Sequence, residues 1–177
     1  MVAARTRDDL LAEIEERLFR ETPTAVRRAA KAFSSPPWCC ALVFDSSQGP
    51  FLPPEIALTT VAERDATLRK RSALARKQIW NCVAYDGVGA GWYEDRKLLA
   101  ACDAVGESLD ARKGAGAATR LIERVAKRLN ALPLSWFGMV DEAFVVYGFD
   151  RNEPATKLVA PSLTAAKRTV LERLRLL

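Results

Sequence analysis

The chain of 177 residues is 49% hydrophobic and 28% charged, with four Cys, four Trp, no His and a net charge of +5. This composition excludes a disordered or fibrous chain, and the length suits one folded domain over residues 1–177. The missing histidine excludes Ser-His and Cys-His dyads, histidine metal ligands and an imidazole acid–base near neutral pH.

Thr6 predicts an N-cap, with Asp8 and Asp9 at the positive end of the helix dipole. Leu10, Leu11, Ile14 and Leu18 share a face of that helix, and Glu13 with Arg17 and Glu16 with Arg20 form i,i+4 pairs. Thr22-Pro23 predicts a restart, with Thr22 capping a second helix that runs through Val26, Ala29 and Ala30 to the stop at Ser34-Ser35-Pro36-Pro37. Trp38 to Asp45 is an apolar run of buried-strand type, and Ser46 to Pro50 is a turn. Glu55 to Thr60 predicts an antiparallel return strand, with Pro53 and Pro54 at its start suiting a sheet edge. Thr60 then caps a predicted helix over 61–79. Val61, Leu68, Ser72, Ala75 and Ile79 fall on one face, and Arg69, Lys70, Arg76 and Lys77 form a basic stripe beside it.

Trp80 to Tyr85 predicts a third, short strand, ended by Asp86 to Gly91. Arg96 to Ser108 reads as a helix around Leu98, Leu99 and Cys102. Gly114 and Gly116 open the next, with Leu121, Ile122, Val125 and Leu129 inward and Arg120, Arg124, Lys127 and Arg128 outward, until Leu132-Pro133-Leu134. Ala143 to Phe149 predicts a strand, and Pro161 to Leu177 a closing helix capped at or near Ser162. The order ααββαβααβα predicts an α+β fold, a small mixed or antiparallel sheet packed with helices.

Met1-Val2-Ala3-Ala4 runs into Arg5, Arg7, Asp8 and Asp9 without an apolar core, so no signal peptide is expected, and no apolar stretch reaches membrane-spanning length. A cytoplasmic protein with reduced thiols is the expectation. Cys39 and Cys40 are adjacent and point to opposite faces of a strand, and no C-x-x-C pair exists for zinc. The charge is uneven: residues 61–80 hold six basic against two acidic residues, and 111–131 hold six basic against Glu123 alone. Between them lie Asp86, Glu94, Asp95, Asp103, Glu107 and Asp110.

Gly87-Val88-Gly89-Ala90-Gly91 has glycines for a phosphate loop, but Trp92 stands where G-x-G-x-x-G needs its third glycine, so a flexible loop is the better reading. Lys113-Gly114-Ala115-Gly116-Ala117-Ala118 resembles the Q/R-x-x-G-x-G/A loop of the N-acetyltransferase family, with Lys in place of Gln or Arg. The resemblance implies an acetyl-coenzyme A pyrophosphate held by Lys113, Gly114 and Gly116, and hence an acyltransferase. That family leads into the loop from a strand, whereas Leu98 to Ser108 reads as helix here; the alternative is that the glycines separate two helices. The basic stripes suit nucleic acid through counterion release, without an accompanying helix-turn-helix or aromatic strand motif. The thiols have no histidine base. Asp45 and Asp150 follow strands, where active-site carboxylates and turn residues both occur; the turn reading is preferred. Trp136, Phe137 and Met139 form an apolar cluster suited to core or to a partner-facing patch.

The layout over most of the chain carries a further likeness: an N-terminal helical pair, the strand Cys40-Ala41-Leu42-Val43-Phe44-Asp45, the return to Leu58-Thr59-Thr60 leading into a helix, Trp80, and Phe144-Val145-Val146-Tyr147-Gly148-Phe149-Asp150. It resembles a family of small uncharacterised bacterial proteins of immunity type, encoded beside polymorphic toxins. The resemblance implies a protein that works by binding another protein. The leading expectation is therefore a binding module without cofactor or metal, possessing partner-facing residues Arg69, Lys70, Arg76, Lys77, Trp136 and Phe137. Acyl transfer and nucleic-acid binding stand as alternatives.

Overall fold

The computed structural model describes residues 5–47, 52–84, 89, 91–108 and 111–177, with 83, 107, 108 and 111–113 described by backbone alone. The chain folds as α1 (Arg7–Ala30), β1 (Pro37–Phe44), β2 (Glu55–Thr60), α2 (Val61–Leu68), α3 (Ala73–Gln78), a 3-10 turn at Cys82–Ala84, α4 (Arg96–Ser108) and α5 (Ala111–Leu129). A 3-10 turn at Leu134–Phe137, β3 (Val145–Asp150), α6 (Val159–Ser162) and α7 (Ala165–Arg173) follow. The sheet order is β2-β1-β3, with β2 antiparallel and β3 parallel to β1, so the expected α+β architecture holds with a mixed sheet. β2 is an edge strand, as its flanking prolines suggested.

Strand side chains alternate between faces, so each face builds its own half of the core. Cys40, Leu42, Ile56, Leu58 and Val146 pack toward α1, α4 and α5, against Leu18, Leu98, Leu121 and Val125. Cys39, Ala41, Val43, Val145 and Tyr147 pack on the other side against Ile79, Trp80, Leu163, Leu171 and Leu176. Cys39 and Cys40 thus do face opposite ways. A register shift between Pro37 and Cys39 brings Trp38 onto the same side as Cys39. There Trp80 lies edge-on to both Trp38 (4.9 Å) and Tyr147 (5.5 Å).

Both outer edges of the sheet are occupied. Along β3, Asn130 Nδ2 donates to the Val146 carbonyl at 2.6 Å and its Oδ1 accepts from the Val146 N–H at 2.8 Å. Ser162 Oγ accepts from Gly148 N–H at 3.2 Å, and Lys167 Nζ donates to the Phe144 carbonyl at 2.5 Å. Side chains from the turn that ends α5, from α6 and from α7 therefore take the place of a fourth strand. Gly148 lets those helices close in, since a Cβ there would lie 3.0 Å from Ile122 Cγ2 and 3.3 Å from Leu158 Cδ1. On β2, Ile56 exchanges backbone hydrogen bonds with Gly91.

Five local expectations are corrected. The expected pair of N-terminal helices is one helix, α1, with Pro23 inside it. Its buried stripe of Ile14, Leu18, Thr22, Val26 and Ala29 runs through the proline, and packing of that stripe outweighs the ladder bond that proline removes. Thr22 Oγ1, expected to cap a restart, donates instead to the Leu18 carbonyl at 2.6 Å. The expected helix over 61–79 is two, because Arg71 takes a left-handed φ of 50° and Ser72 Oγ accepts from Ala75 N–H as a new N-cap. The expected strand from Trp80 is a 3-10 turn; the Trp80 carbonyl accepts from Tyr147 Oη at 2.7 Å rather than from a ladder partner. Gly114 and Gly116 do not open α5, which starts at Ala111. The closing helix expected over 161–177 is the shorter α7, Ala165–Arg173, capped by Thr164 close to the expected Ser162, while Ser162 itself ends the separate α6 and serves the β3 edge. Tyr85 to Val88 and Ala90, the turn beyond Ser47, and Asp110 lie outside the described residues.

Candidate functional site

The two basic faces expected from the sequence have different surroundings. On α5, Arg124 Nε donates to Glu15 Oε2 and Arg128 Nη2 to Glu16 Oε2, each at 2.8 Å. The Arg128 guanidinium also lies 4.2 Å from the centre of the Phe19 ring. The Arg128 hydrogen bond, helped by Arg20, holds the Glu16 carboxyl below its ordinary range against the opposing effect of burial. The acidic middle of the chain meets α1 as well: Arg17 pairs with Asp95 at 2.7 Å and Arg28 with Glu94 at 2.8 Å. α1 thus carries carboxylates toward α5 and guanidiniums toward the start of α4. The charge alternation of the sequence is largely an internal clamp on this side.

The other face is unlike it. Arg69, Lys70 and Arg71 form the bend between α2 and α3, and Arg76 and Lys77 sit in the last turn of α3, all exposed. None of the five has an ion pair among the described residues. Leu74, 62% exposed, stands between them. The closing segment of the chain folds against the same layer: Trp80 Nε1 donates to the Leu176 carbonyl at 3.1 Å, and Leu68, Leu174 and Leu176 line one small cleft beside Arg64 and Asp141. It adds exposed Arg173 and Arg175, also without ion pairs among the described residues, and exposed Leu174 and Leu177. Residues 61–80 and 163–177 together carry ten basic and three acidic residues, an excess larger than the whole chain's +5. The net charge of the protein therefore resides on this one layer.

Arg69, Lys70, Arg76 and Lys77 were readable as a stripe, but Arg71, Leu74, Arg173 and Arg175 were not singled out. The signal for the bend was Ser72, whose spacing to Ala75 suits an N-cap as well as an apolar face. Trp136 and Phe137 part company: Trp136 is half exposed, while Phe137 is buried against Phe144 with ring centres 5.0 Å apart. Lys113, Gly114 and Gly116 lie within α5, preceded by a helix rather than a strand, so the Gly116 amide falls inside the helix ladder. No group of three or more Asp, Glu, Cys or His gathers as a metal cluster among the described residues.

Asp45 and Asp150 act together at the ends of β1 and β3. Asp150 Oδ1 accepts from the N–H groups of Ser46 at 3.2 Å and Asn152 at 3.0 Å, and Asp45 accepts from Ser47 and from the Asn152 amide. Burial raises the Asp150 carboxyl, but these hydrogen bonds outweigh it and leave the group below its ordinary value. Ser47 does the same for Asp45. Their present bonding is that of turn residues. Burial drives the Cys39 and Cys40 thiols far up and Cys102 to about 12, so these thiols are protonated at neutral pH.

Compared with family models, with curated proteins and with solved structures, the chain matches none.

Proposed function

We propose that this protein is a binding module that docks an acidic surface of another protein against the basic layer formed by the α2–α3 bend and the closing segment. The observation that carries this reading is the cation set Arg69, Lys70, Arg71, Arg76, Lys77, Arg173 and Arg175, which the fold leaves without carboxylate partners among the described residues while it pairs arginines of the opposite layer. Arginine is well suited to carboxylate recognition, and electrostatic complementarity of this kind speeds encounter and selects partners. Leu74, Leu174 and Leu177 interleave apolar contact area with the charge, which favours a protein partner over a phosphate backbone. Toxin neutralisation is the form of this activity to which the layout resemblance points.

A photo-crosslinking residue at position 74, introduced in cells of the source organism, tests the reading. Discrete protein adducts are expected, and the double substitution Arg69→Glu/Lys70→Glu should abolish them. If the purified protein instead binds DNA or RNA duplexes with affinity falling steeply between 50 and 200 mM salt, roughly as log–log slopes for several phosphate contacts require, the nucleic-acid reading replaces it. Relief of growth arrest on co-expression with a toxin from a neighbouring gene tests the narrower role.

A further inference from the structure

A cleft of about 430 Å³ opens where the end of α1 and the segment after it meet the turn that precedes β3. Its volume falls in the range of small-molecule sites. Phe33, Pro36, Phe137 and Met139 supply an apolar lining, and Arg27 and Lys31 stand at it as cations. No acidic side chain among the described residues lines it.

The walls are fixed by hydrogen bonds of the Pro36 and Pro37 carbonyls and of Ser35 Oγ, none of which uses Lys31 or the apolar side chains of the lining. The Pro36 carbonyl accepts from Val61 N–H at 3.0 Å, the Pro37 carbonyl from Asp141 N–H at 2.9 Å, and Ser35 Oγ from Ala62 N–H at 3.2 Å. Gly138, at φ +83°, lets the turn lie against the Arg27 stem; a Cβ there would sit 3.1 Å from Arg27 Cγ. The Arg27 guanidinium is held by the Trp136 carbonyl and by Thr24 Oγ1, so it is a fixed positive charge. Lys31 is exposed and has no ion pair among the described residues. Met139 is 89% exposed, a large apolar side chain left in water beside the opening.

A preformed apolar cleft with a fixed cation, a free cation and no carboxylate selects a ligand with one negative end and an apolar body. We infer that this cleft binds a small hydrophobic carboxylate, its headgroup at Lys31 and its apolar body over Phe33, Pro36, Phe137 and Met139. None of these residues belongs to the basic layer, so this site and the proposed docking surface can each fail alone.

Sodium decanoate, titrated below micelle formation into the ¹⁵N-labelled protein, is the probe, with decanol and decylammonium as controls. Decanoate should give saturating amide shifts confined to the cleft segments around residues 30–37 and 137–139, and the two controls should bind more weakly. Lys31→Gln should weaken decanoate by about fivefold, the worth of one exposed ion pair. Ser34→Trp, an exposed substitution at the cleft wall, should abolish the shifts while leaving the rest of the spectrum unchanged. The inference is overturned if decanoate gives no saturable shifts, if decylammonium binds as tightly, or if either variant binds decanoate like the parent chain.

Discussion

The layer made by α1, α4 and α5 and the layer made by the α2–α3 bend, α6 and α7 cover opposite faces of one sheet, and both are rich in arginine. On the first, Arg124 and Arg128 find carboxylates on α1, and Arg17 and Arg28 find them on the segment just before α4. On the second, the exposed cations have none among the described residues. Like charges crowded without partners repel, so the second arrangement is of no benefit to folding. The difference teaches that a count of basic residues on a helix face says little until the neighbouring helix is known.

The strongest way to break the comparison is to detach one layer from the sheet. Asn130 serves the free edge of β3 and also donates to the Ser162 carbonyl at 2.8 Å, so it joins α5, β3 and α6. Asn130→Ala leaves buried backbone groups of Val146 and Ser162 unpaired and should cost about 3 kcal/mol in urea unfolding. Next in size is the clamp on the first layer. Glu15→Lys replaces two attractive contacts with repulsion and should destabilise by about 2 kcal/mol at low salt, shrinking as salt is added. A loss that is indifferent to salt would show that the clamp is packing rather than charge.

Asp150 gives a smaller effect with a defined sign. Hydrogen bonds hold its folded carboxyl below the ordinary aspartate value, so its stabilisation is present above that ordinary value and is lost as pH falls through the folded pKa. Asp150→Asn should therefore cost about 1.5 kcal/mol near neutral pH, and the gap to the parent chain should close on acidification, as thermal melts across acid pH would reveal. Smallest of all should be the bend itself: Arg69→Glu/Lys70→Glu should leave stability within about 0.5 kcal/mol, because those charges have no ion pair among the described residues. A large loss there would erase the contrast between the layers and assign the cations a structural role.

Several elements were legible because local rules and tertiary packing agreed. The strand read over Trp38 to Asp45 and found at Pro37–Phe44, the antiparallel return to Thr60, the N-caps at Thr6 and Thr60 and the amphipathic face of α5 are of this kind. Pro23 and the stretch from Trp80 were misleading for a common reason. Thr22-Pro23 has the residue types of a helix start, yet the apolar stripe on both sides of it demands one unbroken helix. Trp80 and Cys82 point inward as alternate strand residues would, yet their backbone pairs with no strand among the described residues. Of the candidate sites, the basic residues Arg69, Lys70, Arg76 and Lys77 were visible but not their neighbours from the closing segment, and the cleft at Lys31 and Met139 was not visible, because its walls come from segments about a hundred positions apart.

What the sequence by itself determined is the α+β class, the buried strands, the absence of histidine chemistry and the location of the basic residues, all consequences of composition, short-range periodicity and capping. Only the tertiary structure decided which basic residues are neutralised. Ion pairing depends on distances of a few ångströms between helices far apart in the chain, and Glu15 and Arg124 meet at 2.8 Å only because α1 and α5 share one face of the sheet.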